Sequence, residues 1–184
     1  MCDFAERKRN RPWQEREVQV TGLLIGIGAN LSPDGYATPR DGCEAAIARL
    51  PERGISVRAV STWYETAPVP LSDQPWFNNA VIAAETMLAV EETLAALHAI
   101  EALFGRVRTV RNAARVLDLD LIDYGGHCHD GKGLTVPHPR LHERAFVLLP
   151  LRDVAPDYIH PVTGMPIDEM ISQLSTDQQI RPLG

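Results

Sequence analysis

Residues 116–124, VLDLDLIDY, alternate apolar and acidic side chains with a period of two, the pattern of a strand with one face in a core. Leu117, Leu119 and Leu121 are expected to point inward, and Asp118 and Asp120 to share the other face, with Cα atoms ~6.6 Å apart at the rise of a strand. From there both carboxylates reach one or two divalent cations. Mg2+ takes one or two carboxylates together with phosphate oxygens, and the paired metals of phosphoryl-transfer sites sit ~3.5–4 Å apart. Two acids on a strand are equally what a solvated sheet face presents, so the pair gains meaning only from its surroundings. Asp123 falls on the face opposite the pair and is not counted with it.

Immediately upstream, GRVRTVRNAAR (105–115) places Arg106, Arg108, Arg111 and Arg115 beside the aspartates. The concentration is unusual in a chain of 184 residues with a net charge of −6, which speaks against a generic nucleic-acid binder. The basic residues comprise sixteen arginines and only two lysines, a choice that a GC-rich genome also explains. Guanidinium groups bind phosphate in planar, bidentate geometry. Carboxylates for a metal next to arginines for phosphates are what a nucleoside triphosphate requires. The low periodicity of 106–114 predicts a loop, and a loop can close over a substrate.

Working outward, Val18–Ile27 reads as a strand that ends in GIGANL (26–31). Apolar residues Cys43, Ala46, Ile47 and Leu50 recur at helical spacing up to Pro51. Ile55–Tyr64 and Asn79–Glu85 are expected strands, separated by ETAPVPLSDQP (65–75), a stiff loop with three prolines. Ala89–Phe104 is the clearest helix, with Leu94, Leu97 and Ile100 on one face, Glu91 and Glu92 in its first turn and Gly105 as a stop. GGHCHDGKG (125–133) is a turn-rich connection, Leu134–Val136 is extended, and helical patterns surround Leu141–Leu149 and Ile167–Leu174. Strands interleaved with helices predict an α+β or α/β sandwich. Residues 1–17 mix five basic and four acidic side chains without apolar periodicity and are expected to be a flexible N-terminal extension, leaving 18–184 as the folded domain.

GIGANL is neither a dinucleotide fingerprint nor a P-loop, which excludes both cradles; Gly28 and Asn30 are expected to shape a tight turn after the first strand. His138, held between Pro137 and Pro139, is equally suited to ligand contact and to a structural cap. His127 and His129 flank Cys128 without a second ligand pair, so they read as an exposed turn. Three cysteines without CxxC suggest neither a disulfide framework nor a zinc knuckle. No apolar run approaches the ~20 residues of a membrane span, and the polar N-terminus does not resemble a signal peptide. The expectation is a cytoplasmic protein with no membrane or nucleic-acid partner.

Five ordered segments carry a family resemblance: IGIGANL (25–31), STWYETAPVPLSDQPWFNNAV (61–81), IEALFGRVR (100–108), ARVLDLDLIDYG (114–125) and LTVPHPRLHERAFVLLPL (134–151). Together they resemble the 6-hydroxymethyl-7,8-dihydropterin pyrophosphokinases of folate biosynthesis, from about Leu23 to Leu174. The resemblance implies a ferredoxin-like α+β sandwich with a mainly antiparallel sheet and helices packed on it. It also implies Mg-dependent transfer of the pyrophosphoryl group of ATP to the hydroxymethyl oxygen of a reduced pterin, releasing AMP, by a monomer. Carried over by motif, Asp118 and Asp120 would hold two Mg2+ ions, and Arg106 and Arg115 would join them as catalytic residues. Glu101, Arg108, His138 and Arg144 would serve ATP. Phe77 and Phe146 would sandwich the pterin ring, while Asn79 and the segment Thr66, Ala67, Pro68 and Val69 would read its hydrogen-bonding edge. Gln74 belongs to the same motif.

The chain departs from the family pattern at Asn112, where many members have tryptophan, at Ala114 in place of proline, at Pro70 in place of glycine and at Pro139. These changes bear on the pterin site and on loop closure and leave the metal and phosphate residues intact. A metal-dependent nucleotidyltransferase, a paralogue acting on a modified pterin and a ligand-sensing domain are the rival readings. The fate of α-labelled ATP separates the first, because AMP release marks attack at the β-phosphorus.

Overall fold

The computed structural model describes residues 20–68, 71–106, 114–131 and 133–183. The expected extension 1–17, together with Val18, Val69, Pro70, Arg108, Arg111 and Asn112, lies outside these described residues.

Strands β1 (Thr21–Ala29), β2 (Ile55–Val60), β3 (Tyr64–Thr66), β4 (Phe77–Thr86), β5 (Asp118–Tyr124) and β8 (Ile180–Pro182) form one antiparallel sheet in the order β5-β1-β4-β3-β8, with β2 also pairing β4. A separate hairpin joins β6 (His129–Gly131) to β7 (Leu134–Val136). Helices α1 (Pro39–Ile47) and α2 (Val90–Leu103) cover one face of the sheet, and α3 (Ala145–Val154) and α4 (Ile167–Ser172) the other. The expected α+β sandwich is the observed architecture.

The strand pleat sorts side chains between the two layers. Leu23, Ile25 and Ile27 of β1, Ala80 and Ile82 of β4, and Leu117, Leu119 and Leu121 pack with Cys43, Ala46, Leu97 and Ile100. Val81 and Ile122, of opposite parity, pack with Leu148, Leu151, Ile167 and Met170. The helices start where their caps dictate. The Thr38 side chain accepts the Asp41 N–H at 3.1 Å while Asp41 accepts the Thr38 N–H at 2.9 Å, a reciprocal capping box just before Pro39. Glu92 accepts the Ala89 N–H at 2.8 Å at the start of α2.

Several expectations change. The strand expected over 55–64 is broken into β2 and β3, which pair with successive parts of β4. At the break Ser61 holds the ladder: its N–H donates to the Val81 carbonyl at 2.9 Å and its hydroxyl accepts the Val81 N–H at 3.0 Å. The helical pattern around Leu141–Leu149 begins as a short 3-10 turn, Leu141–Glu143, and continues as α3. Gly28 is not in a turn but inside β1. Asp123 also changes sides. Leu24 pairs with Asp123 but Ile25 with Leu121, so β5 carries an extra residue there, and this bulge reverses the parity. Asp123 thereby turns to the α3–α4 layer, where its carboxylate accepts the Tyr158 hydroxyl at 3.0 Å and the Gly126 N–H at 2.7 Å.

Cys43 illustrates how dry the first core is. Its side chain is wholly buried, and burial first, with the charges of Glu44 and Asp118 second, pushes the thiol up to about 12. The thiolate is the nucleophile, so Cys43 is inert while the protein is folded. Alkylation at pH 8 followed by peptide mass mapping should label the exposed Cys128 and spare Cys43 until denaturant is added. Labelling of Cys43 at the rate of Cys128 in the native protein contradicts this packing.

Candidate active site

On the α3–α4 side, beyond the end of the apolar layer, the sheet opens into a cleft of about 1060 Å³. Its floor is the polar-parity face of three strands: Gly26 and Gly28 of β1, Asn79 of β4, and Asp118 and Asp120 of β5. One wall is the Thr66–Pro68 segment after β3 with Phe77, and the other is His138 and the start of α3 with Arg144 and Phe146. Arg115 lines the cleft beside the aspartates. Of the residues expected to serve function, Asp118, Asp120, Arg115, His138, Arg144, Thr66, Ala67, Pro68, Phe77, Asn79 and Phe146 thus line one cleft.

Two expected site residues stand behind that surface. Glu101, 2% exposed, accepts the Leu119 N–H at 2.9 Å and an Arg106 guanidinium N–H. Arg106 in turn donates to the Leu117 carbonyl at 3.1 Å and to the Asp118 carboxylate. Neither Glu101 nor Arg106 lines the cleft. The chain Glu101–Arg106–Asp118 instead runs from the α2 core to the back of the aspartate. Arg115 bonds the other carboxylate oxygen of Asp118, so this one acid is held by two guanidiniums.

Among the described residues Asp120 has no such partner. Its carboxyl is pushed up to about 6, first by desolvation and second by the charge of Asp118, with Arg144, Arg115 and Arg106 opposing. Two carboxylates facing one half-dry cleft are hard oxygen donors. The donor set therefore fits a hard divalent cation. Among the described residues no group of three or more His, Cys, Asp or Glu is placed to hold a metal, so a cation at this pair would take its remaining ligands from water or substrate oxygens.

His138 is fixed at three points. Its N–H donates to the Ile122 carbonyl at 2.8 Å, its carbonyl accepts the Leu141 N–H at 2.9 Å, and its Nδ1 accepts the Arg140 N–H at 3.1 Å. Desolvation, with Arg144 next, lowers its pKa to about 4. The ring is therefore neutral at pH 7 with its proton on Nε2, a donor suited to an anion but carrying no charge itself. Arg144 has its guanidinium 5.4 Å from the centre of the Phe146 ring.

The glycines of the floor permit close approach. A Cβ on Gly28 would stand 2.4 Å from Asn79 Oδ1, directly across the ladder. Asn79 Nδ2 in turn donates to Thr66 Oγ1 at 2.7 Å in a buried bond. Asn30 follows β1 and ties the cleft together: its Nδ2 donates to Gln74 Oε1 at 3.3 Å and to the Pro75 carbonyl at 3.1 Å. Its Oδ1 accepts the Arg115 N–H at 2.7 Å, and its own N–H donates to the Arg115 carbonyl at 3.0 Å. Arg115 is thus anchored through its backbone to the loop that precedes Phe77.

Residues that the motifs did not indicate also line the cleft: Arg140, Glu143 and the segment Ser175–Ile180. Arg140 and Glu143 were present in the PRLHER motif without an assigned role. The stretch STDQQ (175–179) has neither periodicity nor a motif, and the pairing of β8 with β3 and the bonds of Gln178 to the start of α3 bring it here.

Comparison with known proteins follows the same segments. The family model for 7,8-dihydro-6-hydroxymethylpterin-pyrophosphokinase matches residues 24–156. The chain is 42% identical over 156 residues to the 2-amino-4-hydroxy-6-hydroxymethyldihydropteridine pyrophosphokinase of Pseudomonas aeruginosa, covering 83% of this chain and 91% of that one. It is 38% identical over 157 residues to the protein of the same name from Synechocystis, covering 85% and 77%. The folic acid synthesis protein fol1 of Pneumocystis carinii is 40% identical over 169 residues, and the chain spans only 22% of that protein's length. In fold, the chain matches the crystal structure of wild-type Plasmodium falciparum HPPK-DHPS with SDX-DHP at a TM-score of 0.65 and 12% identity, over 84% of this chain and 44% of that one.

Two outcomes test the geometry. Gly28→Ala should displace Asn79 from Thr66 and lower stability by about 1–2 kcal/mol, the worth of a buried hydrogen bond, in urea titrations; unchanged stability contradicts the close approach. In 15N NMR, His138 should keep a neutral Nε2–H tautomer from pH 7 to pH 5, and a midpoint near the ordinary 6.5 contradicts its environment.

Proposed function

The chain belongs to the 7,8-dihydro-6-hydroxymethylpterin-pyrophosphokinase family, transferases of folate biosynthesis that use ATP as co-substrate, and we propose that residues 18–184 form a domain catalysing this reaction. The pyrophosphoryl group of ATP passes to the hydroxymethyl oxygen of 6-hydroxymethyl-7,8-dihydropterin, giving AMP and the pterin diphosphate. The observation that carries this reading is the meeting, in one cleft, of two carboxylates, arginines and a histidine with Phe77, Asn79, Thr66 and Phe146.

Asp118 and Asp120 are the residues to hold Mg2+, two ions in this reading. When bound, the metal neutralises phosphate charge and lowers the pKa of an attacking hydroxyl. The remaining work falls to the chain. Arg115, part-exposed in the cleft, turns its guanidinium from Asp118 to the triphosphate as charge develops there. Arg106, anchored by Glu101 and the Leu117 carbonyl, keeps Asp118 in place; both act on ATP through that aspartate. Neutral His138 donates from Nε2 to a phosphate oxygen, and Arg144 supplies the second cationic wall. Arg108 and Val69, outside the described residues, remain with the nucleotide and the pterin as the motif implies. Phe77 and Phe146 hold the pterin ring between them, while Asn79 and the Thr66–Pro68 backbone read its polar edge.

The hydroxymethyl oxygen attacks the β-phosphorus in line, with AMP leaving. No covalent intermediate is required, and orientation and charge neutralisation supply the acceleration. The free thiols of Cys43 and Cys128 agree with a cytoplasmic setting. No helix among the described residues is long and apolar enough to cross a membrane.

A single assay of ATP, 6-hydroxymethyl-7,8-dihydropterin and Mg2+ should yield AMP and pterin diphosphate; label from α-labelled ATP joined to the pterin identifies a nucleotidyltransferase instead. Asp118→Ala or Asp120→Ala should lower kcat by about 10³-fold or more, several kcal/mol of barrier, and near-normal AMP release by either purified variant contradicts the metal assignment. Arg115→Ala should lower kcat more than it raises KM for ATP, because its phosphate contact tightens in the transition state. A raised KM at unchanged kcat assigns Arg115 to ground-state binding alone.

A further inference from the structure

Gln178 lies between α4 and β8, in the cleft wall that carries no family motif. Its side chain makes two hydrogen bonds to the start of α3. Oε1 accepts the Ala145 N–H at 2.9 Å, and Nε2 donates to the Glu143 carbonyl at 2.9 Å. The two peptide groups so held stand on either side of Arg144. Arg144 is the N-cap residue of α3, and its own side chain makes no cap bond, so Gln178 satisfies one of the orphan helix donors from a distant part of the chain. The Arg144 guanidinium lies over the Phe146 ring in the cleft and feels the charges of Asp120 and Asp118.

The same stretch is tied to the opposite wall. The Gln179 carbonyl accepts the Ala67 N–H at 3.0 Å, and Ile180 pairs with Thr66. Thr66 and Ala67 belong to the substrate-facing segment, whereas Arg144 and Phe146 belong to α3. Adjacent residues of one short strap therefore fix one wall of the cleft relative to the other. A cap alone explains the bond to Ala145. It does not explain the second bond, to Glu143, which adds nothing to the helix and locks the peptide preceding Arg144.

We propose that Gln178 is a positioning residue for the reaction, holding the backbone on both sides of Arg144 so that its guanidinium meets the phosphates at a fixed distance from the Thr66–Ala67 wall. The proposal rests on the reading of Arg144 as a phosphate-facing group. Both polar atoms of the Gln178 side chain are taken by the backbone at the start of α3. Its effect must pass through Arg144, and that route distinguishes positioning from mere support of the fold.

The test uses the full chain with Gln178→Met, which keeps the side-chain length and loses both hydrogen bonds, and Gln178→Ala as a second variant. Steady-state kinetics with ATP and 6-hydroxymethyl-7,8-dihydropterin are measured at 25 °C, well below the Tm of each variant, in the parent and in Arg144→Ala. In the parent background Gln178→Met should lower kcat/KM by roughly 10-fold, as small misplacements near reacting groups do. In the Arg144→Ala background the same change should cost less than about 2-fold, because coupled residues are not additive. Equal losses in both backgrounds, or full activity of folded Gln178→Met, overturn the proposal. A parent protein that releases no AMP refutes the functional reading separately. The positioning claim is then read from the Arg144 15Nε resonance, which Gln178→Met should shift or broaden; an unchanged resonance overturns it.

Discussion

Two carboxylates one strand repeat apart, facing a cleft that removes part of their water, repel each other. This single electrostatic tension accounts for much of what surrounds it. Asp118 is held by two arginines, and one of them, Arg106, is itself held by buried Glu101. Asp120 is left with a raised pKa and the more distant field of Arg144, Arg115 and Arg106. The uncharged state of His138 follows first from its burial and then from Arg144 and Arg140, which oppose a further positive charge there. The site is therefore an uneven charge pattern: among the described residues Asp118 is ion-paired and Asp120 has no direct partner.

The pleat of the sheet places that tension where it can be used. Odd positions of β5 up to Leu121 are spent on the α1–α2 core, so the aspartates at even positions have no choice of side. On the far face the apolar layer beneath α3 and α4 ends at Ile122, and the remaining polar-parity positions are left to the cleft. Gly26 and Gly28 sit directly across the ladder from this strand or from Asn79, and the space their side chains would take is filled by Ile122 and Asn79.

The sequence exposed the parts of this arrangement that rest on local periodicity. Alternation in VLDLDLIDY predicted both the strand and the sidedness of Asp118 and Asp120, and the apolar spacing of 89–104 predicted α2 within a residue at each end. It failed where one residue alters parity or where a tertiary partner decides. The bulge after Leu121 reversed Asp123, the Ser61 hydroxyl divided an expected strand in two, and Gly28 was needed by a side chain on another strand. Glu101 and Arg106 were legible as members of the site, but their place behind Asp118 depends on the packing of α2 against β5. STDQQ carried no signal because its role is set entirely by partners more than thirty residues away.

The cleft differs from the rest of the molecule in how it is held. The α1–α2 face is a continuous apolar core, non-directional and tolerant of small shifts. The cleft walls are joined by directional bonds between loops: Asn30 links Arg115 to Gln74 and Pro75, Asn79 links β4 to Thr66, and Gln178 links the strap to α3. Hydrogen bonds fix orientation and add only about 1 kcal/mol each to stability. A protein organised this way can lose the precision of its site well before it loses its fold. Phosphoryl transfer depends on orientation and charge placement more than on any reactive side chain, and it is the chemistry most sensitive to that precision.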